Sequence, residues 1–168
     1  MTAVVFMARR RRRAGFTLVE MVVVVAVVAI MATTAIPQLG TLMDERTLEG
    51  AALEVRAMML YARARSIGGM PHGFQTDVPL QWVAVNDIEA GDVAVNPVDK
   101  VSPWKWAFGN AGEKYEDVAI VSSDFDGADG ATFDVLGKPS VAGTVVLGLG
   151  DLTRTIRLKA MTGEVVLE

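Results

Sequence analysis

The pattern of apolar and polar positions predicts one long helix in the N-terminal part of the chain. Residues 21–32 form an unbroken apolar run, half of it valine. Farther along, apolar residues recur at spacings of three and four, which predicts one buried helical face. These residues are Leu48, Ala52, Val55, Met59 and Ala62. Gly68, Gly69 and Pro71 predict the end of the helix, which therefore covers roughly residues 16–67.

The C-terminal part of the chain has the pattern of short strands divided by turns. The predicted strands are Gln81–Val85, Asp92–Val95, Trp104–Phe108, Val118–Ser122, Thr132–Leu136, Thr144–Leu149, Thr153–Ala160 and Glu164–Leu167. In 153–160, Ile156, Leu158 and Ala160 alternate with the cations Arg157 and Lys159, as in a half-buried strand. The sequence thus predicts an α+β fold, with a long N-terminal helix packed on an antiparallel β-sheet domain.

The distribution of charge separates the start of the chain from its body. Residues 9–13 are five consecutive arginines, and without them 11 basic residues face 20 acidic ones, a net charge of −9. Such an acidic body opposes a general affinity for nucleic acid. The chain has no cysteine, so that disulfides and thiolate metal sites are excluded.

Three interpretations apply to the first 40 residues. A secretory signal peptide would be cut near 33–35, and a twin-arginine export signal would use Arg12 and Arg13. In a third interpretation the leader is cut before the apolar segment, and the helix is retained. Glu20 favours the third, because a carboxylate inside an apolar segment is costly and usually has a dedicated partner. The 21 residues of 16–36 would extend about 31 Å as a helix, enough to cross a bilayer.

The junction in this region resembles a known family. Arg12-Arg13-Ala14-Gly15 followed by Phe16-Thr17-Leu18-Val19-Glu20 is similar to the class III leader junction of type IV pilins and type II secretion pseudopilins. The resemblance implies that a prepilin peptidase cuts between Gly15 and Phe16 and methylates the new amine of Phe16. Glu20 is then the fifth residue, where the family has its glutamate, and Pro37 stands where pilins commonly place a helix-kinking proline. The chain starts at Met1, although Met7 is an alternative start.

The resemblance also implies a division of the chain. Residues 1–15 are a cleaved leader, 16–36 a transmembrane helix, 37–67 its amphipathic continuation, and 72–168 a periplasmic β domain. The arginines stay cytoplasmic, so the protein crosses the bacterial inner membrane once, with its C-terminal domain in the periplasm. In the family, this glutamate is thought to neutralise the N-terminal amine of a neighbouring subunit and to set the register of assembly. The alternative is a protonated Glu20 that lies in lipid.

A second resemblance lies near the C-terminus. The residues concerned are Thr132-Phe133-Asp134, Gly137-Lys138-Pro139-Ser140, Gly143-Thr144-Val145-Val146-Leu147, Arg154-Thr155-Ile156-Arg157-Leu158 and Thr162-Gly163-Glu164-Val165. In this order they resemble the GspH/FimT pseudopilin domain. The resemblance implies a minor pseudopilin of a type II secretion system, which joins other pseudopilins in a tip or initiating complex. A minor pilin of a type IV pilus, a DNA receptor of a competence pilus and a secreted β domain are the alternatives.

No candidate for catalysis emerges from the sequence, which predicts neither an enzyme nor a cofactor. His72 is the only histidine, and we expect it in a loop, without a partner for nucleophilic or metal chemistry. Asp124, Asp126 and Asp129 are candidate calcium ligands, but their spacing departs from the EF-hand pattern, and a solvated loop is the preferred interpretation.

Two further groups of residues invite a binding function. Trp104 and Trp106 are predicted to share one side of a strand, which with Trp82 favours a core position over a binding surface. Arg154, Arg157 and Lys159 are the cations near the C-terminus. The alternation of the predicted strand places Arg157 and Lys159 on its exposed face, which explains these two cations without a ligand. We therefore expect no nucleic-acid partner.

Overall fold

The computed structural model describes residues 16–168, and within them the side chains of all residues except 34–39. The chain divides between Thr41 and Leu42 into two units. Helix α1 runs from Leu18 to Ile67, which confirms the predicted long helix. The predicted leader with Gly15, and the side chain of Pro37, lie outside the described residues.

The predicted membrane span over 16–36 includes residues 34–36, whose side chains are also outside the described set. In the part of the chain that is described, no helix combines the length and the hydropathy needed to cross a membrane.

The second half of α1 forms one side of the core of the β domain. All five apolar residues predicted to share a face are completely buried, and so are two more, Ala51 and Met58. Complete burial of a leucine, valine or methionine side chain contributes about 1.5–3 kcal/mol, so this face supplies much of the stability of the domain. The predicted apolar face is therefore confirmed and is broader than predicted.

The helix ends where its glycines predict. The amide of Gly69 donates to the carbonyl of Ser66 (3.0 Å), and the amide of Met70 donates to the carbonyl of Arg65 (3.2 Å). This pair of bonds is a Schellman motif, which satisfies carbonyl groups that the last helical turn leaves open. The chain can then reverse directly into the first strand.

Within residues 16–168, nine antiparallel strands form the predicted β-sheet domain, which consists of two sheets. They are β1 His72–Asp77, β2 Trp82–Asp87, β3 Asp92–Val93, β4 Lys105–Ala107, β5 Ala119–Asp124, β6 Gly130–Thr132, β7 Gly143–Leu149, β8 Leu152–Leu158 and β9 Val165–Leu167. In the first sheet the order is β3-β2-β1-β6, with β4 also paired to β2; in the second the order is β5-β7-β8-β9. Residues of both sheets join the face of α1 in one apolar core.

The sequence pattern missed one strand and predicted wrong bounds for another. Strand β1 was not predicted because it contains a single large apolar residue, Phe74, and its pairing with β2 and β6 defines it instead. The predicted strand 132–136 extends only to Thr132, since Asp134 starts a turn. Its Oδ1 accepts the amides of Leu136 (2.9 Å) and Lys138 (2.8 Å), and such local bonds compete with strand pairing.

Two arginines fasten α1 to the β domain by hydrogen bonds to backbone carbonyls. Arg56 Nε donates to the carbonyl of Val165 at 3.2 Å, and Arg63 Nε donates to the carbonyl of Gly137 at 3.1 Å. Gly163 lies at the same place, because a Cβ on it would come within 2.3 Å of the Gly137 carbonyl. Gly137 and Gly163, both part of the GspH/FimT-like pattern, thus meet under Arg63.

The contact at Gly163 can be tested by substitution with alanine. Gly163 has φ +62, and an added Cβ would also strike the Gly137 carbonyl, so Gly163→Ala combines backbone strain with a clash. We expect a loss of about 3 kcal/mol in the free energy of unfolding, measured with denaturant. Gly91→Ala is the matched control, because Gly91 has φ +74 and nothing within 4 Å of an added Cβ. It should lose only about 1 kcal/mol; equal losses for both variants would contradict the close approach at Gly163.

Candidate assembly site

The start of α1 is built around a reciprocal pair of hydrogen bonds between Thr17 and Glu20. Thr17 Oγ1 accepts the amide of Glu20 at 3.2 Å. Glu20 Oε2 accepts the amide and the hydroxyl of Thr17, each at 3.1 Å. This is a capping box, which satisfies amides that the first helical turn leaves open. The Thr-x-x-Glu spacing is the local sequence signal of this box.

The capping box fixes the position of the Glu20 carboxylate. One oxygen, Oε2, is held at the helix N-terminus, where the helix dipole favours a negative charge. The other oxygen, Oε1, makes no hydrogen bond to any residue that the structure describes. Phe16, the first described residue, is 75% exposed. Of the predicted processing and assembly residues, the structure therefore places Phe16 and Glu20 at one helix end, and Gly15 and the Pro37 side chain are outside its range.

The helix surface that follows is apolar and exposed on every side. From Leu18 to Met31, large apolar side chains keep from 45% to 80% of their surface accessible. A helix that is apolar all round is characteristic of a lipid environment or of burial among other helices. This surface requires an environment that the chain does not itself provide.

The second half of α1 carries a further exposed stripe opposite its buried face. Glu49, Leu53, Ala57, Ala64 and Ile67 are exposed and lie at spacings that place them along one side of the helix. Leu53 is 45% and Ile67 is 52% exposed. The outward side of a helix on a soluble domain is normally polar, so this side offers a contact surface to another helix.

His72 is not the loop residue that the sequence predicted. It begins strand β1 and is only 2% exposed. Its backbone amide donates to the hydroxyl of Ser66 at 2.9 Å, and its Nδ1 lies 2.9 Å from the carbonyl of Met70. Since a carbonyl can only accept, Nδ1 carries the hydrogen. The prediction failed because the turn residues before His72 belong to the helix cap, and pairing with β2 and β6 follows at once.

The aspartates proposed as calcium ligands do not converge. Asp124 Oδ1 accepts the amide of Asp126 at 3.1 Å, which closes a local turn. Phe125, between Asp124 and Asp126, is completely buried, whereas all three candidate aspartates are exposed. Within residues 16–168, as far as their side chains are described, no group of three or more carboxylates or histidines is arranged to hold a metal ion.

The cations near the C-terminus each pair with a carboxylate. Arg154 bonds to Glu45 of α1 at 3.0 Å, Arg157 to Glu168 at 3.0 Å, and Lys159 to Glu164 at 2.8 Å. The Arg157 contact is bidentate, with Nε at 3.2 Å from the second oxygen of Glu168. Phosphate binding at these cations would have to displace the carboxylates.

The tryptophans near the middle of the chain pack mainly inward. Trp104 and Trp106 are partly buried and lie against the apolar core, which confirms the core interpretation for these two residues. Tyr61 of α1 meets the Trp104 ring edge-on, with ring centroids 4.6 Å apart. Trp82 is partly buried and is covered by the ammonium of Lys105, 4.0 Å from the ring centre.

A small polar cluster joins the loop before β5 to α1. Lys114 forms an ion pair with Glu54 of the helix, and its ammonium lies 5.3 Å from the centre of the Trp106 ring. The hydrogen bond to Glu54 raises the pKa of Lys114 above its ordinary value of 10.5. Burial raises the pKa of Tyr115, which is 7% exposed, above its ordinary value of 10.0.

Comparison with known proteins gives a match at the start of the chain. Residues 10–36 match the family model described as the prokaryotic N-terminal methylation motif. No curated protein sequence matches the chain. The motif implies a membrane-anchored pilin-like protein that is processed by a prepilin peptidase and assembles with other pilin-like subunits.

Two solved structures share the fold. The type IV minor pilin FimU of Pseudomonas aeruginosa matches with a TM-score of 0.52 and 18% identity, over 76% of this chain and 92% of FimU. The minor pseudopilin EpsH of the type 2 secretion system of Vibrio cholerae matches with a TM-score of 0.55 and 12% identity, over 72% of this chain and 95% of EpsH. The α+β pilin-like fold is thereby confirmed. The chain therefore combines the N-terminal methylation motif with a type IV pilin-like fold.

The Lys114–Tyr115 cluster predicts a loss of stability in alkali. Both groups hold their protons more tightly in the folded than in the unfolded chain, because both pKa values are raised. Their contribution is complete below the ordinary pKa values and is lost as the pH rises through the folded ones. The share of Lys114 should stay below about 1 kcal/mol, since its side chain is 53% exposed.

We therefore expect the free energy of unfolding to fall above about pH 10, and Tyr115→Phe to flatten that fall. Denaturant unfolding at a series of pH values measures both slopes. Tyr61→Phe, which removes the hydroxyl of the only other tyrosine in the sequence, is measured in parallel. An unchanged slope in Tyr115→Phe would contradict the assignment.

Proposed function

We propose that this protein is a minor pseudopilin of a type II secretion system. It joins the tip or initiating complex of the periplasmic pseudopilus, which drives protein export. The observation that carries the proposal is the start of α1. There the Glu20 carboxylate is hydrogen-bonded to Thr17, next to a helix surface that is apolar and exposed on all sides. The matched methylation motif and the GspH-like order of the C-terminal motifs support the same assignment.

Processing is the first step of this function. Cleavage between Gly15 and Phe16 would remove residues 1–15 with their five arginines and create a new α-amine on Phe16, which is then methylated. Residues 16–36 hold the protein in the inner membrane, and residues 72–168 form the periplasmic domain. After the cut, the helix begins with a cation one turn before a carboxylate.

Glu20 then sets the register of assembly. An ionised carboxylate in hydrocarbon needs a cation nearby, and the N-terminal amine of a neighbouring subunit provides one at the same depth. The capping box supports this role, because Thr17 holds Oε2, whereas Oε1 makes no hydrogen bond to a described residue. In the alternative, Glu20 is protonated and lies in lipid without a partner.

The remaining attachment comes from apolar helix surfaces. The residues from Leu18 to Met31 and the stripe of the second half of α1 give the helix contact area along most of its length. Staggered helices that pack through two different sides make heterologous contacts, which propagate as a filament. Neither a cofactor nor a catalytic group is needed for this function.

A minor pilin of a type IV pilus is the second candidate, favoured by the similarity to FimU. Deletion of the gene distinguishes the two candidates. A pseudopilin predicts a defect in protein export, whereas a minor pilin predicts a defect in pili. A DNA-receptor role is less well supported, because Arg154, Arg157 and Lys159 are already paired with carboxylates.

The position of cleavage gives a direct prediction. Mass spectrometry of the protein purified from membranes should find a mature chain that begins at N-methylated Phe16. Gly15→Val should remain at full length, because Gly15 is the residue directly before the proposed cut, and Ala14→Val is the neighbouring control. A mature chain that begins near Ile36 would show a secretory signal peptide instead and would contradict the proposal.

The register mechanism predicts a separate phenotype for Glu20. Glu20→Gln has the shape of the protonated side chain but cannot form the ion pair, so the variant should be cleaved and inserted normally and yet be nearly absent from isolated filaments. Asp44→Asn changes an exposed acid of the same helix that lies outside the exposed stripe, and this variant should assemble as the wild type does. Normal incorporation of the Glu20→Gln chain would favour the protonated alternative and remove the register mechanism.

A further inference from the structure

A cavity of about 460 Å³ lies between the end of α1 and the loop that connects β3 to β4. Its wall includes Arg65 from the helix, His72 and Asp87 from the first sheet, and Lys100 from the loop. The wall therefore combines two cations with one carboxylate and the only histidine of the chain. None of these residues belongs to the assembly site at the start of the helix.

The guanidinium of Arg65 is poorly satisfied. Its Nη2 lies 2.8 Å from the thioether sulfur of Met70, a weak acceptor, and its Cζ lies 6.0 Å from the centre of the Tyr61 ring. Its Nε is buried and has no hydrogen-bond partner. A buried guanidinium donor without an acceptor is costly, so an acceptor is expected next to Nε.

The carboxylate of Asp87 does not fill that role. Its Oδ1 accepts the amides of Glu89 (3.0 Å) and Ala90 (3.1 Å), and no ion pair joins it to Arg65 among the described residues. Lys100 likewise forms no ion pair with any described carboxylate, in a chain with an excess of acids. Two cations and one anion leave the cavity with a net charge of +1, which matches one additional carboxylate.

The loop that carries Lys100 holds this residue in a costly backbone conformation through local hydrogen bonds. Lys100 has φ +56, a conformation that lysine rarely adopts, and its amide donates to the carbonyl of Asn96 at 2.9 Å. Asp99 Oδ1 accepts the amides of Val101 (3.0 Å) and Ser102 (3.1 Å). A strained residue that the surrounding bonds hold in place is characteristic of functional positions.

The same loop presents apolar side chains next to the cations. Val98 is 88% and Val101 is 84% exposed, and Val95, in the cavity wall, is 52% exposed. A free phosphate ion would gain nothing from this apolar rim. A protein segment with a carboxylate between apolar side chains would contact both the cations and the valines.

We propose that this cavity is a docking site for an acidic segment of a neighbouring pilin-like subunit. One aspartate or glutamate of that segment lies between Arg65 and Lys100, and its apolar neighbours pack on Val98 and Val101. The inference rests on the proposed assembly function and extends it, because it gives the periplasmic domain a specific contact in addition to helix packing.

The test uses the full-length chain in cells that express the pilin-like subunits of its own gene cluster. With p-benzoylphenylalanine at Val98, we expect a light-dependent crosslink to one of those subunits, mapped by mass spectrometry to a peptide that contains aspartate or glutamate. Arg65→Gln and Lys100→Gln should each lower the crosslink yield about tenfold, as expected for loss of a desolvated charge contact. Lys138→Gln, an exposed cation outside the cavity, and a probe at Leu80, 66% exposed in the β1–β2 turn, are the controls.

Lys100→Gly distinguishes docking from a structural role of the lysine. Glycine relieves the strain at φ +56, so the variant should unfold at a higher denaturant concentration than the wild type and still lose the crosslink. Full crosslinking in this variant or in Lys100→Gln would overturn the inference. A second result would also overturn it. If inorganic phosphate raised the thermal stability relative to chloride at equal ionic strength, and Lys100→Gln abolished that rise, the cavity would be a site for a free anion.

Failure of the inference is distinguishable from failure of the proposed function. A chain that is cleaved and incorporated into filaments, but gives no crosslink from Val98 to any subunit, would overturn the docking site alone. A chain that is never incorporated would overturn both.

Discussion

The packing of the second half of α1 against the two sheets is the interaction on which the rest of the structure depends. Seven apolar side chains of one helical face are completely buried in the common core. Arg56 and Arg63 add bonds from the helix to backbone carbonyls of the β domain. This packing uses one side of the helix and leaves the other side, with Leu53 and Ile67, open to contacts with other subunits.

The two halves of α1 have different surroundings, which explains why their surfaces differ in the distribution of apolar and charged residues. In the second half, apolar residues alternate with charged ones because one side meets a core and the flanks meet water. In the first half, the large apolar residues from Leu18 to Met31 are exposed. Glu20 is the polar exception, and its bonds to Thr17 satisfy part of its hydrogen-bonding capacity before any partner arrives.

The cations of the β domain differ in whether a described carboxylate pairs with them. Carboxylates already pair with Arg154, Arg157 and Lys159, which reduces their value as a surface for polyanions. Arg65 and Lys100 differ, because they line a cavity and no described carboxylate pairs with them. Cations of the same kind therefore differ in their availability to a binding partner. A cation that is paired with a carboxylate of the chain is less available than one without such a pair.

The sequence by itself determined the features that depend on local periodicity and local chemistry. Spacings of three and four residues specified the buried face of α1, and two glycines specified where the helix ends. The leader motif at the junction before Phe16 is one continuous stretch of sequence and could be recognised directly. Only the tertiary structure decided what depends on distant partners. Pairing with two strands made His72 the buried start of β1, and the turn at Asp134 ended the strand predicted there. The separation into two sheets and the cavity at Lys100 likewise join residues far apart in the chain, and local patterns carry no signal for such contacts.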